Sequence, residues 1–346
     1  MPVDAADNVA AVLHGPGNVQ IERRPIPTLG DRDVLVEVRS VGVCGSDIHY
    51  YEHGRIGSFV VERPLILGHE VSGVVVDRGT RAERHAVGQR VALEPGVPCG
   101  RCSECRHGRY NLCQDVRFFA TPPIDGAFAR YVAIHEDYAF ALPPEISDDA
   151  GALLEPLSVG IWACWKGGVG LGSRVLVTGA GPIGNLAMQV ARAAGATTLV
   201  VADVNPDRLE RAGRLGASAT VNTAERPLSP ADGPFDVLLE CTGNESVTAA
   251  GIEALRPAGS AVLVGMGPGL DARLPLAAMQ AREITLVGTF RYANTYPTAI
   301  ALAAAGRVEL DRLVDARFPL EQADRALRAN RENGALLKVV VDVHDG

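Results

Sequence analysis

Val175-Leu-Val-Thr178-Gly179-Ala180-Gly181-Pro182-Ile183-Gly184 is the stretch on which the reading of this chain turns. An apolar run of strand type enters a glycine loop of GxGxxG spacing, and residues 185–194 continue with helical periodicity. Glycines gather in any tight loop, so the spacing alone says little. Its context says more: a strand before it, a helix after it, and Asp203 closing the next apolar run, nineteen residues past Gly184. That arrangement is a dinucleotide-binding fingerprint. Gly179 permits the turn, Gly181 lets the backbone approach a pyrophosphate, and Gly184 allows the helix to pack closely on the strand. The pyrophosphate then meets the positive end of the helix. Asp203 is expected to accept hydrogen bonds from the adenosine ribose and to repel a 2′-phosphate. No Lys or Arg occupies 204–207, so NAD is expected over NADP. Arg208, one turn into the following helix, is a candidate for the adenine or ribose.

From about 156 to 290, apolar strands at 174–178, 198–202, 237–240, 261–264 and 285–288 alternate with Ala- and Leu-rich helical segments. This is the mark of βαβ units and a parallel sheet. Residues 1 to about 155 carry short runs such as Val34-Leu-Val-Glu-Val-Arg39 and Val71-Ser-Gly-Val-Val-Val76, broken by Gly and Pro. They predict a compact, turn-rich β domain. After 290 come a helix or two and a last strand, Leu337-Lys-Val-Val-Val-Asp342. At 346 residues the chain exceeds one ordinary domain, and a 47% hydrophobic content supplies two cores. A net charge of −8 and the lack of any Lys/Arg run argue against nucleic acid as a partner. The first residues, Met1-Pro-Val-Asp-Ala-Ala-Asp7, have neither the basic nor the apolar region of a secretory signal. No apolar run approaches the roughly 20 residues that cross a bilayer. The expectation is a cytoplasmic protein with reduced thiols and no membrane partner.

Seven cysteines stand against that background, four of them (Cys99, Cys102, Cys105 and Cys113) within fifteen residues. Cysteines three apart pair poorly with one another, and a reducing compartment disfavours disulfides. Four thiolates at CxxCxxCx₇C spacing can close a tetrahedral shell around zinc, and a complete shell is structural. An iron–sulfur cluster is the rival reading, although the last gap is longer than in ferredoxin runs and no proline follows Cys113. Cys164 and Cys241 read as buried thiols, and His53, His85, His107 and His135 as surface histidines. Nearer the N-terminus, Gly42-Val-Cys44-Gly-Ser46-Asp47-Ile-His49 and Gly68-His69-Glu70 both sit where a strand pattern breaks. Taken singly, such a Cys is more often a small hydrophobe and such a His a satisfied polar residue.

The GHE motif followed by Gly73, Gly79 and Gly88, the Cys44-Gly-Ser-Asp47 pattern, the four-cysteine lobe and the central GxGxxG occur in one order. Together they resemble the zinc-containing medium-chain alcohol dehydrogenases. His49-Tyr-Tyr51, Gly151-Ala-Leu-Leu-Glu155-Pro-Leu-Ser-Val159, Phe118 and Phe290-Arg291-Tyr292-Ala-Asn-Thr295 make the chain similar to the sorbitol and xylitol (polyol) branch over its full length.

The resemblance implies an α/β protein of two domains. A GroES-like β domain comprises 1–155 and 291–346, with a structural zinc lobe at about 95–115, and a Rossmann doubly wound NAD-binding domain comprises 156–290. It implies two zinc ions per subunit. The catalytic one would be held by Cys44, His69 and Glu70, with Glu155 beside it or taking a turn as ligand. Simple alcohol dehydrogenases commonly have a cysteine in place of Glu155, and a carboxylate suits a polyhydroxylated substrate. Ser46 and His49 match the family's proton relay. Tyr50, Arg291 and Tyr292 match contacts to substrate hydroxyls, and Ile56, Phe59 and Phe118 an apolar wall; core packing is the other reading of Phe59 and Phe118. Ile183, Val264, Gly265 and Met266 would line the nicotinamide half of NAD, with Thr289 and Phe290 reaching its carboxamide and Arg291 also contacting the cofactor. The implied activity is zinc-assisted hydride transfer from a polyol of sorbitol, xylitol or iditol type to NAD. Another secondary alcohol or L-threonine is the alternative substrate, and a non-enzymatic NAD-binding protein the remote one. A homotetramer is implied, with 261–264 offered as a subunit contact.

Overall fold

The computed structural model describes residues 8–267 and 271–343, so the N-terminal heptapeptide discussed above lies outside the described residues. Two compact units emerge, one running to Glu155 and resuming at Leu310, the other spanning Pro156–Glu309. The return to the first unit therefore falls at 310 rather than 291. Helix Tyr296–Ala304 buries Tyr296 and Ala299, and Gln189 Oε1 accepts from the Glu309 N–H at 2.8 Å. The Gln189 bond ties the end of the 291–309 segment to the second unit.

The first unit is built on a mainly antiparallel sheet. Its order is Ala139–Ala141, Arg90–Leu93, Glu70–Arg78, Asp33–Gly42, Lys338–Asp342 and Val314–Pro319, with Tyr131–His135 also pairing on Asp33–Gly42. Asn18–Arg24, Asn8–Gly15 and Leu65–Ile66 form a smaller sheet. Val34, Val36, Val38 and Val41, all fully buried, place Asp33–Gly42 at the centre of the core.

The second unit is a six-stranded parallel sheet. Its order is Ala219–Asn222, Thr198–Asp203, Arg174–Thr178, Phe235–Glu240, Leu255–Leu263 and Thr285–Gly288. This is the doubly wound Rossmann order, reversing between Arg174–Thr178 and Phe235–Glu240. The five expected strands are present. The sixth, Ala219–Asn222, is a short edge strand with only Val221 buried, too polar to carry a pattern. The fingerprint helix begins at Pro182, not 185, because Gly181 caps it and Pro182 supplies the favoured first position. Strand Leu255–Leu263 is paired on both sides, so its backbone has no free edge to offer another subunit; the edge strand on that side of the sheet is Thr285–Gly288. No described helix is long and apolar enough to cross a membrane.

Candidate metal and dinucleotide sites

Strand register brings the first site together. Gly42, ending the central strand, pairs with Glu70, which begins the next. Residues just beyond each strand end must then converge. Cys44 follows Gly42 by two positions and caps helix Gly45–His53, while His69 immediately precedes Glu70. Cys44 Sγ, a His69 ring nitrogen and a Glu70 carboxylate oxygen all lie within 4.8 Å of one another. His69 and Glu70 are buried, and Cys44 is partly exposed.

Asp47 holds this arrangement in place. Fully buried, it accepts from the Cys44 N–H and from the Gly68 N–H, each at 2.9 Å, and stands 3.6 Å from His69 Nδ1. Burial opposes its ionisation, yet His69 and the two backbone donors outweigh burial and lower its pKa. Gly68 is required where it stands: its φ is +86°, and a Cβ would lie 2.7 Å from Phe128.

On the far side of Glu70 lies a residue to which the sequence alone assigns no role. Lys338, on the last strand and 3% exposed, donates to Glu70 Oε1 at 2.6 Å and to the Val43 carbonyl at 3.0 Å. Glu70 Oε2 is buried with no hydrogen-bond partner among the described residues. A buried carboxylate oxygen left so is costly, and a cation held by Cys44, His69 and Glu70 would compensate the carboxylate. Thiolate, imidazole and carboxylate are the donor set of a zinc site whose fourth position stays open, so zinc fits these residues.

Glu155 is buried at the start of helix Leu154–Gly167, outside that three-residue group. Its charge reaches Lys338 and Glu94. Burial pushes the Glu94 carboxyl up to about 7; its 2.7 Å bond from the Tyr110 hydroxyl pulls the other way, and Glu155 adds to the rise. Phe118 is buried with its ring centroid 5.7 Å from that of His69. Phe59, by contrast, is exposed, and Ile56 packs partly on the core beside it. Tyr50 belongs to the buried core. Ser46 and His49 lie on helix Gly45–His53, with the imidazole of His49 exposed and 5.5 Å from that of His53.

The four clustered sulfurs also lie within 4.8 Å of one another, with Cys102–Cys105 at 3.4 Å and Cys99–Cys105 at 4.0 Å. Zinc–sulfur bonds of about 2.3 Å in a tetrahedron place sulfurs about 3.8 Å apart. One ion fits this spacing better than a multi-iron cluster. Backbone N–H groups of Cys99, Cys102 and Cys105 donate to cysteine sulfurs at 3.4–3.5 Å. Such bonds hold Cys99 low, at about 6, while burial and neighbouring thiols push Cys105 up to about 12. Cys164 is buried as expected, whereas Cys241 is only partly so. His85 is no surface residue: it is buried, with Nε2 3.1 Å from the Glu136 carbonyl oxygen.

In the second unit Gly179 adopts φ +92°, and a Cβ on Gly184 would lie 1.8 Å from the Gly179 carbonyl oxygen. Both glycines are obligatory. Asp203 ends its strand with Oδ2 accepting from the Ala180 N–H at 2.6 Å and Oδ1 from the Asn205 N–H at 2.8 Å. Arg208 reaches toward Gly181, where an added Cβ would lie 3.9 Å from Nη1. Asn185, to which the motif gives no part, donates to the carbonyls of Ala180 and Gly181 and fixes the loop. Val264 and Gly265 donate to the Glu240 carbonyl, and Thr289 Oγ1 to Leu263. Met266 and Phe290 are exposed. Arg291 has φ +52° and stacks 4.8 Å over the Phe290 ring, and Tyr292 is buried against Tyr296.

Comparison with known proteins agrees with this chemistry. Residues 30–144 match the alcohol dehydrogenase GroES-like domain, and residues 182–305 match the zinc-binding dehydrogenase family. Sorbitol dehydrogenase of Rattus norvegicus is 45% identical over 97% of this chain and 96% of its own. That of Bacillus subtilis is 42% identical over 96% of each. An Escherichia coli oxidoreductase of unknown specificity superposes with a TM-score of 0.93 at 33% identity, covering 98% of this chain and 99% of its own. The chain belongs to the zinc-containing medium-chain alcohol dehydrogenases, on the branch that holds the sorbitol dehydrogenases.

Proposed function

We propose that this chain is a zinc- and NAD-dependent dehydrogenase that removes a hydride from a secondary hydroxyl of a sorbitol-, xylitol- or iditol-type polyol and leaves a ketose. The observation that carries the proposal is the convergence of Cys44, His69 and Glu70, with Glu70 Oε2 buried and lacking a hydrogen-bond partner among the described residues. Bound there, zinc supplies the Lewis acidity that lowers the pKa of a substrate hydroxyl, and NAD supplies the hydride acceptor. The remaining work falls to the chain's own side chains. Glu155 accepts hydrogen bonds from substrate hydroxyls and orients the one that reacts. Ser46 takes the released proton, and exposed His49 passes it to solvent. Phe118 excludes water beside His69, and Ile56 contacts the rest of the substrate.

Asp203 favours NAD: two backbone bonds hold its carboxylate at the end of the strand, and that charge would repel a 2′-phosphate. The four-cysteine lobe holds a second zinc that does no chemistry. A homotetramer acting in a reducing compartment completes the proposal; Thr285–Gly288, an edge strand of the sheet among the described residues, supports assembly. A panel of sorbitol, xylitol, ethanol and L-threonine, run with NAD and with NADP, tests the reading. Turnover of polyols with NAD is expected. Strong activity on ethanol or threonine with none on a polyol would overturn the substrate assignment.

A further inference from the structure

Lys338 is a buried ammonium that touches the metal half-shell without belonging to it. Its placement follows from the sheet. Gly42 pairs with Glu70 on one side and with Val340 on the other, so the central strand separates Glu70 from the strand that begins at Lys338. The ion pair spans that strand because Gly42 has no side chain. A Cβ there would lie 2.0 Å from Glu70 Oε2. The same ammonium bonds the carbonyl of Val43, the residue before Cys44. One side chain therefore fixes the carboxylate of one ligand residue and the backbone leading to another, and it engages Oε1 while leaving Oε2 unpartnered.

We propose that Lys338 is a positioning residue that serves as the resident counter-ion of Glu70, holding the half-shell assembled when zinc is absent and restricting Glu70 to one oxygen when zinc is present. The proposal rests on zinc binding at Cys44, His69 and Glu70. A thermodynamic cycle gives its sign. Without metal, Lys338 is the charge that compensates buried Glu70, and removing one member of a buried pair leaves the other exposed to the full desolvation cost. With metal, zinc supplies that compensation. Replacing Lys338 thus destabilises the metal-free chain more than the loaded one, and zinc binds the variant more tightly.

The test withdraws zinc from the loaded, full-length chain with a graded chelator series. It reads the metal whose retention depends on Cys44, with Cys44→Ser as the reference. Lys338→Met is expected to raise the zinc affinity of this site at least tenfold, or about 1.4 kcal/mol. Lys338→Arg, which keeps the charge, is expected to restore the wild-type value. Should Lys338→Met fail to fold, Lys338→Gln retains one donor and is expected to shift affinity in the same direction. Unchanged or weaker zinc binding in a folded Lys338→Met or Lys338→Gln chain would overturn the role of Lys338. Wild-type zinc content unaltered by Cys44→Ser would instead overturn the site on which it rests.

Discussion

Replacing Asp47 with Asn probes the part of the metal site that contains no ligand. The carboxylate spends both oxygens on backbone donors: Oδ2 takes the Cys44 N–H and Oδ1 the Gly68 N–H, each at 2.9 Å, in a side chain with no exposure. An amide keeps one acceptor and turns an N–H₂ toward the other donor. One buried N–H is stranded, which costs about 1–3 kcal/mol. At about 2–4 °C per kcal/mol for a unit of this size, the midpoint should fall by about 2–12 °C. Asp47→Ala strands both donors and should cost about 2–6 kcal/mol. The loops released carry Cys44 and His69, so zinc affinity or activity should fall about 10–100-fold, the usual cost of losing an outer partner of a metal ligand. Urea unfolding of the loaded chain, with zinc counted per chain, measures both effects. NAD affinity should not move, because the fingerprint loop lies in the other unit. An Asp47→Asn chain with wild-type stability and wild-type zinc retention would refute the reasoning.

Other perturbations separate the parts of the account. Gly42→Ala drives a Cβ to 2.0 Å from Glu70 Oε2, so zinc per chain should fall from two toward one while the cysteine lobe keeps its ion, as metal analysis would record. Cys44→Ser should abolish turnover in a folded chain, whereas Cys105→Ser should chiefly lower the thermal midpoint; loss of catalysis alone from a stably folded Cys105→Ser chain would reverse that division. Glu94, with a folded pKa of about 7 against an ordinary value of 4.5, keeps its proton where the unfolded chain has released it. Its contribution is therefore greatest below pH 4.5 and is lost as the pH rises to 7. That loss is on the order of 3 kcal/mol at 1.36 kcal/mol per unit, and Glu94→Gln should flatten the decline in a denaturation series.

Much of the fold and of both sites is legible in the amino-acid sequence, and what is legible there is local. The fingerprint loop needs only a strand, three glycines and a helix within one short stretch, and the four-cysteine lobe closes within fifteen residues. The catalytic half-shell is legible only through resemblance. Its geometry depends on Gly42 pairing with Glu70, a long-range register that no local pattern reports. Lys338 lies 268 residues from Glu70. Its one trace in the sequence is a charge inside an otherwise apolar strand, Leu337-Lys-Val-Val-Val. Asn185 is hidden for a different reason. A polar residue four places past Gly181 on a helix reads as solvent-facing, whereas here it turns back to bond the loop. The boundary at 310 escapes the pattern because long-range contacts such as Gln189 to Glu309, not a break in composition, assign 291–309 to the second unit.

The most direct test of the central claim is the rate of NADH formation from sorbitol or xylitol as zinc is returned, in measured steps, to a fully chelated chain. No turnover is expected without zinc, and recovery should follow occupancy of the site requiring Cys44. Undiminished turnover by the zinc-free chain would contradict the claim.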